Sequence, residues 1–309
     1  MIDPKYKAQA DLLLQTIPYV AKETIFALKG GTAINLFVRN MPRLSVDIDL
    51  TYLPIDDRET ALKSISDGLG RIKTDLEKSI PGIIVTPASR EGQDVKINCQ
   101  LAGAQIKIEV NTVTRGIINQ PSLRRVHKVV EDTYGKFAAI NVVSMAELYG
   151  GKICAALDRQ HPRDLFDVKL LLDNEGFTED IKIGFIIALI SHMRPINEVI
   201  SPTFIDQRQA FETQFSGMAD IPFSYEDFEQ TRKKLVKEIH SKLTEEDRLF
   251  LISFKEGLPD WELLSVRNAK ELPAVLWKLQ NIEVLRKKNS KKHDEMLKTL
   301  EAVLYTSFF

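Results

Sequence analysis

The chain is poor in cysteine, in net charge and in long apolar runs, and each shortage removes a class of function. Its two cysteines, Cys99 and Cys154, sit in apolar periodic segments without the spacing of a thiolate metal cluster. They read as buried free thiols of a reducing compartment, not as a disulfide. Lys and Arg number 42 against 43 Asp and Glu, a formal net charge of -1, which argues against a protein that coats nucleic acid through bulk charge but allows a local basic surface. No segment approaches the ~18 consecutive apolar residues of a membrane span. The opening MIDPKYKAQADLL carries acidic residues and no signal core, so a cytoplasmic protein without a membrane partner is expected. No internal repeat or low-complexity segment is evident. What remains, 44% hydrophobic and 28% charged side chains, suffices for globular cores in one to three domains.

The N-terminal residues up to about Tyr19 pattern as an amphipathic helix. IFALKGG from Ile25 then reads as a strand broken by Gly30 and Gly31, and Thr32 to Arg39 returns to helix. SVDIDLTYLP alternates: Val46, Ile48 and Leu50 share one face of a strand, which puts Asp47, Asp49 and Thr51 on the other. Leu62, Ile65, Leu69, Ile72, Leu76 and Ile80 keep a helical period from Asp57 until Pro81-Gly82 stops it. IIVT follows, then VKINCQL and QIKIEVN as an antiparallel hairpin across a three-residue connection, Ala102-Gly103-Ala104. In its second arm Ile106, Ile108 and Val110 face the core and Lys107 and Glu109 the opposite surface. From Ser144, which fits a capping box with Glu147, a helix runs to about Arg159, and Pro162 opens another that ends near Gly176. Residues 194–224 read as an irregular, proline-bearing loop or linker. Trp261 and Trp277 fall in helical patterns and are expected in the core. The architecture expected is α+β: a mixed twisted sheet domain over residues 1–140 and a helical domain over 141–309.

Asp47 and Asp49 protrude together from a strand anchored by its apolar face. Hard divalent cations take oxygen ligands, and Mg2+ commonly uses one or two carboxylates together with substrate phosphates. A solvated edge strand explains one such aspartate but not the order strand, diglycine, helix, Asp-x-Asp. Gly30 and Gly31 allow a tight turn with close backbone approach, and amides opening the next helix suit a phosphate; a plain turn is the alternative. Lys29 precedes the glycines, unlike the glycine-rich lysine loop of an ATPase, and the dinucleotide-binding glycine spacing is absent. Glu109 is the third candidate carboxylate, to complete the oxygen set or to serve as general base; Asp94 is a weaker substitute. In the second half Lys152 and Arg159 are seven residues apart and share a helix face, from which both can reach phosphate. The competing reading makes Arg159, Arg163, Asp164 and Asp167 a salt-bridge network joining two helices.

LKGGTAINLFVRNMPRLSVDIDL resembles the first conserved block of the AbiEii/AbiGii-type nucleotidyltransferases, polymerase-beta-like proteins that include toxins of type IV toxin-antitoxin and abortive-infection systems. ELYGGKICAALDRQHPRDLFDVKLL resembles their second block. The resemblance extends to about residue 170. It implies a polymerase-beta-like fold, with Gly30 and Gly31 on the phosphate side, Arg43 and Ser45 matching the first block, and Asp47 and Asp49 as metal ligands. It likewise implies that Lys152 contacts the nucleotide and that Asp164 and Asp167 are the acids of the second block, with Arg163 beside them. Gly31 stands where many nucleotidyltransferases have serine, and Glu109 where the wider fold often has aspartate.

The expected reaction is transfer of a nucleoside monophosphate from a nucleoside triphosphate, with Mg2+ or Mn2+, to an acceptor. Asp47, Asp49 and Glu109 form the metal set, and Lys152 balances phosphate charge. The resemblance implies tRNA as acceptor and a cognate antitoxin as partner, and the basic run RKKNSKKH from Arg286 to His293 is a candidate RNA contact. Transfer to a small molecule or protein, and a nucleotide-binding module without turnover, are the alternatives. His161 is expected to be structural or loop-exposed, not catalytic.

Overall fold

The computed structural model describes residues 4–90 and 92–306; the first three residues of the expected N-terminal helix lie outside that range. The described chain forms two compact units, 1–144 with 215–222, and 145–214 with 223–309.

The first unit is built on one seven-stranded sheet: β1 Phe26–Lys29, β2 Asp47–Tyr52, β3 Ile84–Arg90, β4 Gln93–Leu101, β5 Ala104–Asn111, β6 Ser122–Arg125 and β7 Ala139–Val142. Their spatial order is β3-β4-β5-β2-β1-β7-β6. β2 runs parallel to β5 and β1 parallel to β7, while the other neighbours are antiparallel. This is the expected mixed sheet of an α+β domain.

Alternation decides its two faces. Ile48, Leu50, Ile97, Cys99, Ile106, Ile108 and Val110 are buried, and helices α1 (Pro4–Val20) and α3 (Arg58–Ser79) pack against β4, β5 and β7. Every apolar residue of the period from Leu62 to Ile80 is buried. Asp57 caps α3 by accepting from the amides of Glu59 and Thr60 at 2.9 and 3.0 Å.

Three local features differ from the sequence reading. The β4–β5 connection is two residues long, not three: Ala102 and Gly103 have φ of 47° and 82°, the paired left-handed conformations of a type I′ hairpin turn. The helix after the diglycine is one α-turn, α2 (Gly30–Thr32), passing directly into a π-helix over Ala33–Val38. β6 and β7 fall in a stretch where no strand was expected, each being only four residues long.

The second unit is helical: α5 Met145–Arg159, α6 Pro162–Asn174, α7 Glu179–Ser191, α8 Ile196–Ile200, α9 Arg208–Gln214, α10 Tyr225–Lys242, α11 Glu245–Glu256, α12 Pro273–Lys288 and α13 Ser290–Tyr305; α4, Lys128–Tyr134, belongs to the first. The stretch read as irregular thus holds α8 and α9, and its segment Phe215–Pro222 returns to the first unit, where the Met218 carbonyl accepts from the Leu44 amide at 2.8 Å. α5 and α7 cross at their backbones: a Cβ on Gly150 would lie 2.2 Å from the Gly184 carbonyl carbon, and one on Gly184 2.0 Å from the Ala146 oxygen. Trp261 packs on Phe250 and Phe254, but Trp277, expected in the core, is 44% exposed; its helix turns the opposite edge, Ala274, Val275 and Lys278, inward. Both cysteines are free and buried, and burial pushes each thiol up to about 12. Among the described residues no helix is long and apolar enough to cross a membrane.

Candidate active site

The diglycine turn connects β1 to the helix and packs against the residues that lead into β2. Gly30 has φ +74°, and a Cβ placed on it would lie 2.5 Å from Asp49 Oδ2. On Gly31 a Cβ would meet Arg43 Nη2 at 2.7 Å and Ser45 Oγ at 3.0 Å. Any side chain at either position would therefore intrude on the carboxylate or on the Arg43–Ser45 pair, and at Gly30 the left-handed backbone adds a second demand for glycine. The turn is tied down from both sides. Thr32 donates to the Asp47 carbonyl and is hydrogen-bonded through its hydroxyl oxygen to the Ser45 hydroxyl at 3.0 Å, and Asn35 donates back to the Gly31 carbonyl at 2.9 Å. Arg43 and Ser45 are buried, forming the backing of the turn.

Strand register then arranges the charges. Lys29 pairs with Asp49, Asp49 with Glu109, Glu109 with Lys96 and Lys96 with Ala88. Directly paired residues share a face, so one row across five strands reads cation, anion, anion, cation, alanine. All five line a cavity of about 530 Å³, with Arg90, Ser89, Asn111 and Thr112 among its other walls. A second row sets Asp47 beside Lys107 and Lys107 beside Asn98.

The cations answer the carboxylates. Lys107 holds Glu109 Oε2 at 2.9 Å; partial burial works against its charged form, but that bond and the fields of Asp47, Glu109 and Asp49 raise its pKa. Lys29 is dominated by burial, which lowers its pKa against the pull of Asp49 and Glu109. Its ammonium donates to Thr114 Oγ1 at 3.3 Å, a hydroxyl positioned because Asn111 Oδ1 accepts from the amides of Val113 and Thr114 at 2.9 Å each.

Asp47 and Asp49 have the oxygen chemistry that Mg2+ or Mn2+ takes, and one or two protein carboxylates meet that requirement when phosphates and waters supply the rest. Among the described residues no three His, Cys, Asp or Glu side chains are gathered to hold a metal ion, and Glu109 is engaged by Lys107. Asp94 is occupied elsewhere, accepting from Ser89 Oγ at 2.5 Å.

The residues of the second block assemble in the second unit. Lys152, on α5, donates to Asp164 Oδ1 at 2.8 Å and lies 3.0 Å from Asp167 Oδ2, both on α6. Arg159 adds a two-pronged contact to Asp164 at 2.6 and 3.1 Å. Burial alone would raise the Asp164 pKa, but Lys152 and Arg159 outweigh it and hold the carboxyl well below the usual range. Lys152, Asp164 and Asp167 are almost fully buried, whereas the Arg159 side chain is 63% exposed. Arg159, Asp164 and Asp167, expected in a helix-joining network, are therefore gathered there with Lys152 at their centre. Arg163, half-buried, has its amide capped by Nδ1 of His161 at 3.2 Å, and the other ring nitrogen faces Gln214 Oε1 at 3.0 Å.

Lys29 and Lys96 also line the cavity, and neither is among the candidate residues of the sequence. In the sequence Lys29 serves only to exclude an ATPase loop, though its place immediately before the glycines is a usable signal. Lys96 enters through strand pairing, which no single-strand pattern displays.

The model of the family described as nucleotidyl transferase AbiEii toxin, type IV TA system, matches residues 11–281. Among solved structures the chain resembles MenT4, a nucleotidyltransferase toxin from Mycobacterium tuberculosis H37Rv, with a TM-score of 0.61 over 91% of this chain and 95% of that one at 14% identity, a likeness of fold. A search of curated proteins finds no match. With the family model covering most of its length, the chain belongs to the AbiEii nucleotidyl transferase toxins of type IV toxin-antitoxin systems.

Proposed function

We propose that this chain transfers a nucleoside monophosphate from a nucleoside triphosphate to the 3′ end of tRNA, and that a cognate antitoxin restrains it. The observation that carries the reading is the seating of Gly30 against Asp49, in register with Glu109 on the floor of a cavity. An acceptor hydroxyl oxygen attacks the α-phosphorus, the bond to the bridging oxygen breaks, and pyrophosphate leaves. Glu109 receives the hydroxyl proton, Lys29 faces the charge of the departing phosphates, and the backbone of the glycine turn accommodates them. Asp47 and Asp49 would hold the divalent ion, which supplies Lewis-acid stabilisation when bound. A phosphate would have to compete with two buried carboxylates for the Lys152 ammonium. We therefore assign Lys152 to securing α5 against α6, with Arg159 bracing the same carboxylate. The acceptor assignment draws on the family and on surface cations at the α12–α13 junction. Arg286, Lys287, Lys288, Lys291 and Lys292 are exposed there, whereas His293 is buried and bonded to the Lys255 carbonyl.

Incubating the purified chain with each α-labelled triphosphate, Mg2+ or Mn2+, and total tRNA tests the reading. Label should enter RNA, and Asp49→Asn should reduce transfer by at least about a hundredfold with an unchanged circular dichroism spectrum. Wild-type turnover in that variant would overturn the assignment; label on protein alone would replace the acceptor, and nucleotide binding without pyrophosphate release would leave a module without turnover.

A further inference from the structure

The charge row on the cavity floor has two cationic ends, and the triphosphate accounts for one of them. Lys29 adjoins the diglycine turn, the phosphate side of the proposed reaction. Lys96 lies beyond Glu109 on β4, two strand spacings from Asp49, which is roughly 10 Å at the usual strand separation. A lysine stem allows the ammonium to range over part of that distance. Arg90, at the end of β3, lines the same side of the cavity.

We propose that Lys96, with Arg90 at the rim, binds a phosphate of the acceptor, so that the acceptor is a strand whose terminal hydroxyl is presented to Glu109 while its adjoining phosphodiester is held on β4. This rests on the transfer reading above and adds to it the identity of the group recognised. A neutral small-molecule acceptor has no use for a second cation on the far side of the general base. Among the described residues none that line the cavity is aromatic, so nothing there stacks a base. What the wall offers is charge, backed by the hydroxyl of Thr112, and charge recognises phosphate irrespective of sequence. The competing role for Lys96 is that of a cross-strand partner to Glu109, which makes no demand on RNA affinity.

The test is binding without turnover. A 5′-fluorescein-labelled single-stranded RNA of eight nucleotides with a free 3′ hydroxyl is titrated with the full chain, without triphosphate or metal, over a range of salt. Lys96→Ala should weaken binding roughly five- to tenfold and reduce the slope of log K against log salt by about one, Lys96→Arg should restore most of it, and affinity for a fluorescent triphosphate should stay within about twofold throughout. RNA that the wild-type chain does not bind, RNA affinity untouched by Lys96→Ala, or triphosphate affinity falling in step with it would each overturn the proposal. Failure of the transfer reading is separate and shows as absence of label transfer by the wild-type chain.

Discussion

Gly30→Ala isolates the link between backbone conformation and carboxylate position. Two costs combine. At φ +74° an alanine carries the left-handed penalty of about 1–2 kcal/mol. Its methyl would also lie 2.5 Å from Asp49 Oδ2, far inside ordinary contact, and because that oxygen ends a side chain the strain is relieved by turning Asp49 from its rotamer, at about 0.5–1.5 kcal/mol. The expected destabilisation of the first unit is about 2–3 kcal/mol. Displacing the carboxylate by several tenths of an ångström should cost transfer up to about a hundredfold. Both tryptophans, Trp261 and Trp277, lie in the second unit, so tryptophan fluorescence is blind to this change; hydrogen exchange at the β2 amides under increasing urea reads it. A double-mutant cycle separates the two costs. In an Asp49→Ala background the 2.5 Å clash with the carboxylate is gone and only a 3.2 Å approach to the Cβ remains, so Gly30→Ala should cost little beyond the backbone part, leaving a coupling of about 1 kcal/mol. Zero coupling, or full activity in Gly30→Ala, would refute the argument that glycine is required there to make room for Asp49.

Asp164→Asn removes one carboxylate from the ion cluster around Lys152 and should destabilise the second unit by about 3–5 kcal/mol, read by tryptophan fluorescence in urea. Because the folded-state pKa of Asp164 lies below the unfolded value of about 3.9, its contribution is complete above pH ~5 and is lost as pH falls toward the lower folded value; the Asn variant should show a shallower acid transition. The neighbouring glycines of α5 should respond with opposite signs. Gly150→Ala drives a methyl into the Gly184 backbone and should cost about 1–3 kcal/mol or more, while Gly151→Ala has open space and should gain about 0.5–1 kcal/mol from helix propensity, both checked by thermal denaturation.

What the sequence disclosed was whatever repeats within one element. The two-residue period exposed Asp47 and Asp49 on the face opposite Ile48 and Leu50, and the 3.6-residue period placed α3, α5 and α6 to within a few residues. Pairing between elements left no such trace. That Asp49 lies beside Glu109 depends on β5 inserting parallel to β2, a long-range choice that neither strand encodes alone, and that Glu109 lies beside Lys96 turns on the register of the β4–β5 hairpin, set by its two-residue turn. β6 and β7, at four residues each, are too short for a period to register. The closure of Lys152 against Asp164 and Asp167 follows from where α6 begins, after the turn at Gln160, whose φ is 49°. Trp277 shows the converse error, since a helical pattern identifies a helix but not which side of it meets a neighbour.

The return of Phe215–Pro222 to the sheet unit bears on how the protein can be dissected. A fragment ended at Ser144 would include every strand and both aspartates, yet it would strip the Leu44 amide of its acceptor at Met218 and remove the bridge between Arg43 and Ala219. The prop beneath the glycine turn is thus supplied by residues more than seventy positions downstream of the cut. An inert N-terminal fragment would report a missing buttress, and could not be taken to mean that the chemistry resides in the other half.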